Sequence, residues 1–426
     1  MDGLALLGGP RAVPGPIPRY CSLGPEEAEA ARRVVASGVL SAFFGSAGAN
    51  FLGGPEVKAF EREWADAFGA AHAVSVNSAT SGLIAAVGAC GIGPGDEVIV
   101  SPFTMSASAS CVRVLGGTPV FADLDAATFN LDPRSVAACI TPRTRAIIVV
   151  DLAGQPADLD ELLALARPRG IRVIEDAAQA PGALYKGRWA GTLADIGVFS
   201  LNCHKTIQTG EGGVCCTDDA ALALRLQLIR NHGEGVVEEM GITREAERLL
   251  GFNFRLGEIE AAIGREQLRK LARLTTPRQE NARVYDRRLG ALPGLTVPLV
   301  KPDRTHVYYT YMMRIDPAAA GMSRRQVVRA LAAEGVECFE GYCRPLYLQP
   351  LYQAEWSGKD GRKYGSGLCP VTERLYQEEV FFHSLLYEEL RTPWVDQICH
   401  AFEKVWAHRD ELAMMEDDGA RAIRRA

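Results

Sequence analysis

Short apolar segments alternate with helical segments between residues 73 and 217, and this alternation restricts the fold more than any other feature of the sequence. Strands are predicted at Ala73–Val76, Glu97–Val100, Pro119–Ala122, Arg145–Val150, Arg172–Ile174, Ile196–Ser200 and Gly213–Cys216. Helices are predicted between them at Ser81–Ala89, Ser106–Leu115 and Asp158–Ala166. Such an order is typical of an α/β fold, in which helices cover both faces of a mostly parallel sheet.

The pattern changes after about residue 260. Helices are predicted at Pro25–Ser37 and Glu56–Phe68 before the alternating region. After it a long helix is predicted at Glu258–Leu274, continuing beyond a break near Thr275–Pro277. Further on, an alternating strand at Thr310–Ile315 is followed by helices at Ser323–Glu334 and Thr392–Met415. We therefore expect an N-terminal arm and a large domain over residues 1–265, and a smaller α+β domain over residues 266–426.

Charge and cysteine placement exclude several classes of function. The net charge is -6 with both signs mixed along the chain, so neither a nucleic-acid surface nor a membrane surface is expected. The eleven cysteines are scattered from Cys21 to Cys399 without a C-x-x-C pair, which argues against a metal site. No secretory leader opens the sequence and no apolar run is long enough to span a membrane. A cytoplasmic location is expected.

Two charged residues follow buried strands at positions where α/β folds bind ligands. Asp176 follows the apolar strand in VIEDAAQ, and Lys205 lies between a strand and the GEGG turn at 210–213. Alone, Asp176 could be a helix N-cap and Lys205 a solvated loop residue. Together they suit pyridoxal chemistry, because a carboxylate can hold a protonated pyridine nitrogen while a lysine in a confined pocket acts as a nucleophile.

Two further segments could contribute to such a site. The segment NSATSG at 77–82 lies between a strand and a helix, where free N–H groups and the helix dipole attract a phosphate. Ser200 could offer its hydroxyl to the same phosphate. In GFNFRL, Asn253 and Arg255 stand between aromatic residues and could reach a polar ligand. An ordinary N-cap and a structural hydrogen bond remain the alternatives for these two segments.

Taken in order, these motifs resemble those of the DegT-type sugar aminotransferases, a family of fold-type I pyridoxal-phosphate enzymes. The resemblance extends from about residue 20 to 405. It is carried by NSATSGL, GIGPGDEVIVSPFT, TPRTRAIIVV, GQPADLDEL, VIEDAAQAPGA, FSLNCHKTIQTGEGG, RNHGE, GFNFRLGEIEAAIGREQL and PLYLQPLY. The lysine-GEGG segment and the upstream EDAAQ are the most specific of these motifs.

The resemblance implies a role for each matching residue. Lys205 would form the Schiff base with pyridoxal 5′-phosphate and carry the proton between cofactor and substrate carbons, and Asp176 would hold the pyridine nitrogen. The remaining cofactor contacts would come from Ala79, Thr80, Met105, Gln179, Ser200 and Asn253. Because Asn253 would reach the cofactor of a second subunit, a homodimer with shared active sites is implied. The reaction would move an amino group from glutamate or glutamine to a keto-sugar or keto-cyclitol, for an antibiotic or a surface glycan.

The sequence departs from the family pattern around the substrate. Ala79 replaces the usual glycine, Met105 stands where an aromatic residue often stacks on the cofactor, and Asp151 and Tyr347 replace frequent histidines. Asp151, His204, Arg255 and Tyr347 are accordingly the positions predicted to face the substrate. Two alternatives stay open: a sugar dehydratase of the same fold, which would use a histidine in place of the lysine, and an inactive regulatory relative. The position of the lysine five residues before Gly210 of the GEGG turn favours the transaminase over the dehydratase. The intact Asp176–Lys205 pair favours it over the regulatory relative.

Overall fold

The computed structural model of the protein describes residues 3–242, 249–356 and 364–415. The chain divides into two compact units. One, called the sheet unit below, contains Cys21–Thr275 together with the short segment Val300–Tyr309. The other, called the C-terminal unit, contains the chain up to Tyr20, then Thr276–Leu299, then the chain from Thr310 onward. The N-terminal arm is therefore grouped with residues distant from it in sequence.

A seven-stranded sheet forms the centre of the sheet unit within the described residues. The strands of this unit are β1 (His72–Val76), β2 (Glu97–Val100), β3 (Thr118–Phe121), β4 (Thr144–Val150), β5 (Arg172–Asp176), β6 (Leu184–Tyr185), β7 (Arg188–Trp189), β8 (Ile196–Ser200) and β9 (Gly213–Thr217). The spatial order is β1-β9-β8-β5-β4-β2-β3, while β6 and β7 pair separately. In the large sheet β9 runs antiparallel to both of its neighbours, β1 and β8, and the other neighbouring strands pair in parallel. All seven predicted strands are present, each within two residues of its predicted limits.

Helices accompany the sheet along the chain. They are α1 (Pro25–Ser37), α2 (Pro55–Phe68), α3 (Ala79–Ala89), α4 (Ala107–Val114), α5 (Pro133–Cys139), α6 (Leu159–Ala166), α7 (Ala220–Arg230) and the first part of α8 (Glu258–Leu289). Strands β2, β8 and β9 are buried at every residue, which explains why each has only one charged or hydroxyl-bearing residue, at one of its ends. Because the parallel strands point the same way, the residues that follow them meet at one edge of the sheet.

The C-terminal unit contains a four-stranded antiparallel sheet in the order β10-β11-β13-β12. Its elements are β10 (Leu295–Thr296), β11 (Tyr311–Ile315), α9 (Pro317–Ala320), α10 (Arg324–Ala333), β12 (Phe339–Glu340), α11 (Pro350–Trp356), α12 (Pro370–Arg374), β13 (Val380–His383), α13 (Trp394–Ala407) and α14 (Arg409–Ala413). Buried Glu334 attaches the N-terminal arm to this unit, since it accepts hydrogen bonds from the N–H groups of Ala5 (2.8 Å) and Ala12 (2.9 Å).

The break predicted near Thr275–Pro277 is wrong, because α8 continues through Pro277 to Leu289. A proline inside a helix removes one backbone hydrogen bond at a cost of about 3 kcal/mol. The turns that follow are held by burial: Ala282, Tyr285 and Leu289 are all fully buried. One of the boundaries between the two units follows Thr275, within this continuous helix. Within the described part of the chain, no helix combines the length and the apolarity that crossing a bilayer requires.

Candidate active site

Asp176 is the last residue of β5, and its carboxylate is held in a buried position. Ser108 of α4 donates its hydroxyl hydrogen to Oδ2 at 2.8 Å, and the N–H of Ala178 donates to Oδ1 at 3.3 Å. Burial raises the pKa of Asp176, while the Ser108 and Ala178 hydrogen bonds and the charge of Lys205 oppose that rise. The site therefore favours a cationic ligand next to this carboxylate, because such a ligand would stabilise its ionised form.

Lys205 lies in the loop between β8 and β9, where its backbone N–H donates to the Asn202 carbonyl at 2.8 Å. Burial of the ammonium lowers the pKa of Lys205 to about 8, and the nearby negative charge of Asp176 limits the decrease. The amine nitrogen stands 4.4 Å from the centre of the Tyr309 ring. Because its pKa is lowered, more of the side chain is an uncharged amine near neutral pH than for an ordinary lysine, and the uncharged amine is the form that can act as a nucleophile.

Tyr309 is the last residue of the segment Val300–Tyr309, which packs with the sheet unit. The N–H of Val307 donates to the Gly154 carbonyl at 2.9 Å, which attaches the segment to the turn after β4. Tyr309 was not predicted from the sequence. A tyrosine in HVYYTY, some hundred residues after Lys205, gives no local signal of this contact.

The predicted phosphate segment forms the start of α3. Ser78 caps the helix by accepting the Ser81 N–H at 3.1 Å, and Ala79 and Thr80 are the first two helical residues. The N–H groups in the first turn of a helix have no partners within the helix, so they can bind an anion. Ser200 ends β8 and is buried, with its Oγ accepting the Asn202 N–H at 3.3 Å. Its hydroxyl hydrogen can still be donated.

Gln179 is buried close after Asp176, and its Oε1 accepts the N–H of Ala153 at 2.7 Å. Ala153 has a φ of 59°, in the left-handed region that few residues other than glycine adopt. This backbone arrangement directs the Ala153 N–H toward Gln179. The side chain is thus fixed from the turn that follows β4.

Asn253 and Arg255 differ in their surroundings. Asn253 is exposed and forms an isolated β-bridge with Asn231. Arg255 donates from Nε to Oδ1 of Asn231 at 2.7 Å, which is the structural hydrogen bond that the sequence left open for this segment. Arg255 therefore has a role in holding Asn231, whereas Asn253 remains accessible.

Met105 and His204 are both accessible to solvent. Met105 is 68% exposed in the loop between β2 and α4, and its thioether can therefore meet a ligand. His204 is exposed beside Lys205, and its backbone N–H donates to Asn202 Oδ1 at 3.2 Å. Both stay candidates for contact with cofactor or substrate.

The structure differs from the expectation that Asp151 and Tyr347 face the substrate. Asp151 is fully buried, and its Oδ1 accepts the N–H of Ala157 at 2.9 Å, which closes the turn after β4. Tyr347 belongs to the C-terminal unit, where it is fully buried and donates its hydroxyl hydrogen to Glu373 at 2.5 Å. Each side chain is occupied by a structural contact.

These observations can be compared with known proteins. A sequence profile described as the DegT/DnrJ/EryC1/StrS aminotransferase family matches residues 45–403. The chain belongs to this family. The match covers most of the chain and confirms the resemblance found in its motifs, so the protein is an aminotransferase.

Relatives and solved structures agree with this assignment. The chain is 40% identical to the GDP-perosamine synthase of Caulobacter vibrioides over 294 aligned residues, and this aligned region covers 69% of this chain and 77% of that protein. It is 36% identical to the spore coat polysaccharide biosynthesis protein SpsC of Bacillus subtilis over 343 aligned residues, and this aligned region covers 79% of this chain and 85% of that protein. An X-ray structure of the aminotransferase from Psychrobacter cryohalolentis has a TM-score of 0.82 at 32% identity, covering 93% of this chain and 100% of that chain. The predicted α/β fold of a fold-type I aminotransferase is confirmed.

Proposed function

We propose that this aminotransferase binds pyridoxal 5′-phosphate covalently through Lys205 and transfers an amino group from glutamate or glutamine to a keto-sugar. The observation that carries the proposal is the partly buried amine of Lys205, whose pKa is lowered to about 8 near the charge of Asp176. A nucleophilic amine and a carboxylate are the two groups that pyridoxal chemistry requires of a protein.

The residues around Lys205 fit the cofactor. The buried carboxylate of Asp176 suits a protonated pyridine nitrogen, since a cation there offsets the effect of burial on its pKa. The start of α3, with Ala79 and Thr80, suits the phosphate together with the hydroxyl of Ser200. Exposed Met105 could cover a face of the ring.

Each of these residues would have a defined task. The bound cofactor supplies an electron sink for the carbanion formed when the substrate carbon loses its proton. Asp176 would keep that sink effective by holding the proton on the pyridine nitrogen. Gln179, fixed by the Ala153 N–H, would orient the pyridine ring of the cofactor by contacting the hydroxyl group of that ring. Lys205 would accept the proton from the substrate carbon with its Nζ and return it on the cofactor side.

The substrate class is inferred from the relatives. One is named a GDP-perosamine synthase and another a spore coat polysaccharide biosynthesis protein. We therefore propose a keto-sugar acceptor, free or nucleotide-linked, in the biosynthesis of a surface glycan or an antibiotic. Keto-cyclitols are the second acceptor class to be tested, since the sequence motifs leave them open.

We also propose a homodimer with shared active sites. Phe44 is 58% exposed, although its carbonyl accepts a hydrogen bond from Asn231 Nδ2 at 2.9 Å, and Asn231 is bridged to exposed Asn253. An exposed aromatic ring beside a predicted active-site residue fits burial against a second copy.

Phe44→Asp should shift the mass measured by light scattering from dimer to monomer and weaken cofactor binding. Val114→Asp, at a comparably exposed position on α4, should change neither.

All eleven cysteines are free thiols, and two of them, Cys21 and Cys203, are exposed. Exposed free thiols suit a reducing compartment. We propose the cytoplasm on this basis.

The decisive experiment compares the protein with Lys205→Ala and with the control Lys186→Ala. The wild type and the control should be yellow with bound cofactor, lose that colour on addition of glutamate or glutamine, and regain it with the correct ketone. Lys205→Ala should neither retain the cofactor covalently nor turn over. A panel of keto-sugars and keto-cyclitols then identifies the acceptor. Retention of full activity in Lys205→Ala would contradict the proposal, and release of water without a lasting amine product would indicate the dehydratase instead.

A further inference from the structure

Two buried carboxyl groups meet behind the candidate active site. Asp151 follows β4, Glu175 precedes Asp176 in β5, and both side chains are fully buried. One oxygen of each is satisfied by the backbone: Asp151 Oδ1 accepts the Ala157 N–H at 2.9 Å, and Glu175 Oε2 accepts the Leu193 N–H at 3.0 Å. The other two oxygens, Asp151 Oδ2 and Glu175 Oε1, are completely buried, and no donor among the described residues serves them.

In the parallel pairing of β4 with β5, Glu175 is opposite Val149, and Asp151 lies two residues beyond Val149, so both side chains are on the same face of the sheet. The two buried carboxyl groups are therefore neighbours. Two ionised carboxylates cannot form a hydrogen bond, because neither has a proton to donate. With one proton between them, the same contact becomes an O–H···O⁻ hydrogen bond, which is short and strong in a dry interior. A single shared proton therefore satisfies both remaining oxygens at once.

We propose that Asp151 and Glu175 share one proton and act as positioning residues, fixing the end of β5 that carries Asp176 to the turn after β4. The sharing of the proton is independent of the cofactor, whereas the positioning role rests on the proposed function. The N–H of Asp151 donates to the Asp176 carbonyl at 3.1 Å, so the two strand ends are already joined through the backbone.

The turn after β4 needs such support. Ala153 within it adopts a left-handed conformation, which costs on the order of 1–3 kcal/mol and persists only where the surroundings hold it. Asn130 contributes to this by accepting the Leu152 N–H at 3.0 Å and donating to the Gln155 carbonyl at 3.1 Å. Since the Ala153 N–H holds Gln179, the carboxyl pair supports both predicted ring contacts, Asp176 and Gln179.

The charges around the pair oppose a second ionisation. Burial raises the pKa of Asp151 well above its usual value, and the charges of Glu175 and Asp176 raise it further. Burial also raises the pKa of Glu175. A further titratable neighbour of Glu175 is the buried thiol of Cys216 on β9, whose pKa is raised chiefly by its own burial. A carboxyl whose pKa is raised by folding contributes stability below the pKa of the unfolded chain and loses it as the pH rises through the folded pKa.

The test uses Asp151→Asn and Glu175→Gln, because an amide keeps the size of each side chain and supplies a permanent hydrogen-bond donor. Infrared spectra of the wild-type protein at pH 7 should contain the carbonyl band of a protonated carboxylic acid, and both variants should lack it. Relative to the wild type, the melting temperature of Asp151→Asn should rise as the pH increases from about 5 to 8. Asp160→Asn, which changes an exposed carboxylate, should leave both measurements unaltered.

The positioning role is tested by cofactor affinity. Asp151→Asn should bind pyridoxal phosphate within about threefold of the wild type, whereas Asp151→Leu, which leaves Glu175 without its partner, should bind at least tenfold more weakly or fail to fold. An unchanged carboxylic-acid band in Asp151→Asn would overturn the shared proton. Equal losses of affinity in Asp151→Asn and Asp151→Leu would overturn the positioning role. The infrared and melting results need no bound cofactor, so they stand even if the proposed function fails.

Discussion

A Cβ atom at Gly213 would stand 2.7 Å from the backbone nitrogen of Ala79, closer than side-chain carbons approach a backbone in folded proteins. Gly213 is the last glycine of the GEGG turn, and Ala79 opens α3. The contact follows from the pairing of β1 with β9, in which Val76 is opposite Gly213. The loop that carries Lys205 and the helix terminus predicted to bind phosphate are thereby held together.

Gly213→Ala should weaken cofactor binding by separating these two segments. The backbone at 213 is not left-handed, so the cost arises from the contact alone. Overpacking of this kind costs about 1–3 kcal/mol, roughly a 5- to 150-fold loss of affinity if it is expressed in binding. Titration of the apo-protein with pyridoxal phosphate measures the effect. Gly93→Ala is the control, because a Cβ there meets nothing within 4 Å, and equal affinities for the two variants would contradict the prediction.

The sequence predicts the strands well because each buried strand is a local apolar run. It also places Asp176 and Ser200 correctly at strand ends, since the last residues of a run can be read from the sequence itself. Contacts that depend on which strands lie side by side cannot be predicted in this way. The apposition of Gly213 and Ala79 requires β9 to lie beside β1, although more than 130 residues separate the two positions in the chain, and no local pattern records this.

Asp151 illustrates a second limit of sequence analysis. A polar residue after a strand is expected to face the ligand, but the turn that follows β4 curves so that its carboxyl caps the Ala157 N–H inside the protein. The direction of a side chain after a strand end depends on the turn, and here the turn contains the left-handed Ala153. Neither the turn conformation nor the nearby Glu175 can be derived from residue spacing.

The reactivity of Lys205 should depend on pH with a midpoint near 8. Only the uncharged amine attacks a carbonyl, so the rate of cofactor attachment to the apo-protein should rise with pH, reach half of its maximum near pH 8 and level off about one pH unit higher. A free lysine, with a pKa of about 10.4, would still be gaining reactivity there. Stopped-flow absorbance over a pH series measures this rate. In Asp176→Asn the midpoint should move to lower pH, because the carboxylate charge raises the pKa of Lys205; a midpoint near 10 in the wild type would contradict the assignment.

Tyr309 should raise the pKa of Lys205 through its aromatic face. A cation over a ring gains about 0.5–2 kcal/mol, which corresponds to roughly 0.4 to 1.5 pH units at the observed 4.4 Å separation. Tyr309→Leu removes the ring and should lower the midpoint of cofactor attachment accordingly. Tyr309→Phe keeps the ring and serves as the control, with a midpoint close to that of the wild type. If the phenylalanine variant shifted as far as the leucine variant, the ring face would not be the cause.

Arg230 and Glu61 form an ion pair in the sheet unit, next to the strand that precedes the phosphate segment. Arg230 is fully buried and donates from Nη1 to Glu61 Oε1, which also accepts the Ser75 N–H at 2.8 Å and the Ser75 hydroxyl at 2.7 Å. Glu61→Ala would leave a buried guanidinium without its counter-charge and two donors of β1 without an acceptor. Breaking a buried pair from one side typically costs about 3–5 kcal/mol of the free energy of unfolding.

Chemical denaturation of Glu61→Ala measures this loss, and Glu29→Ala provides the matched control. Glu29 pairs with Arg32 at 2.7 Å, but both side chains are largely solvated, so water replaces the lost partner and the denaturation midpoint should hardly move. The double variant Glu61→Leu/Arg230→Met should recover part of the stability, because it removes both charges while the two donors of Ser75 still lack their acceptor. If Glu61→Ala were as stable as Glu29→Ala, the guanidinium of Arg230 would have to be reached by water, contrary to its complete burial.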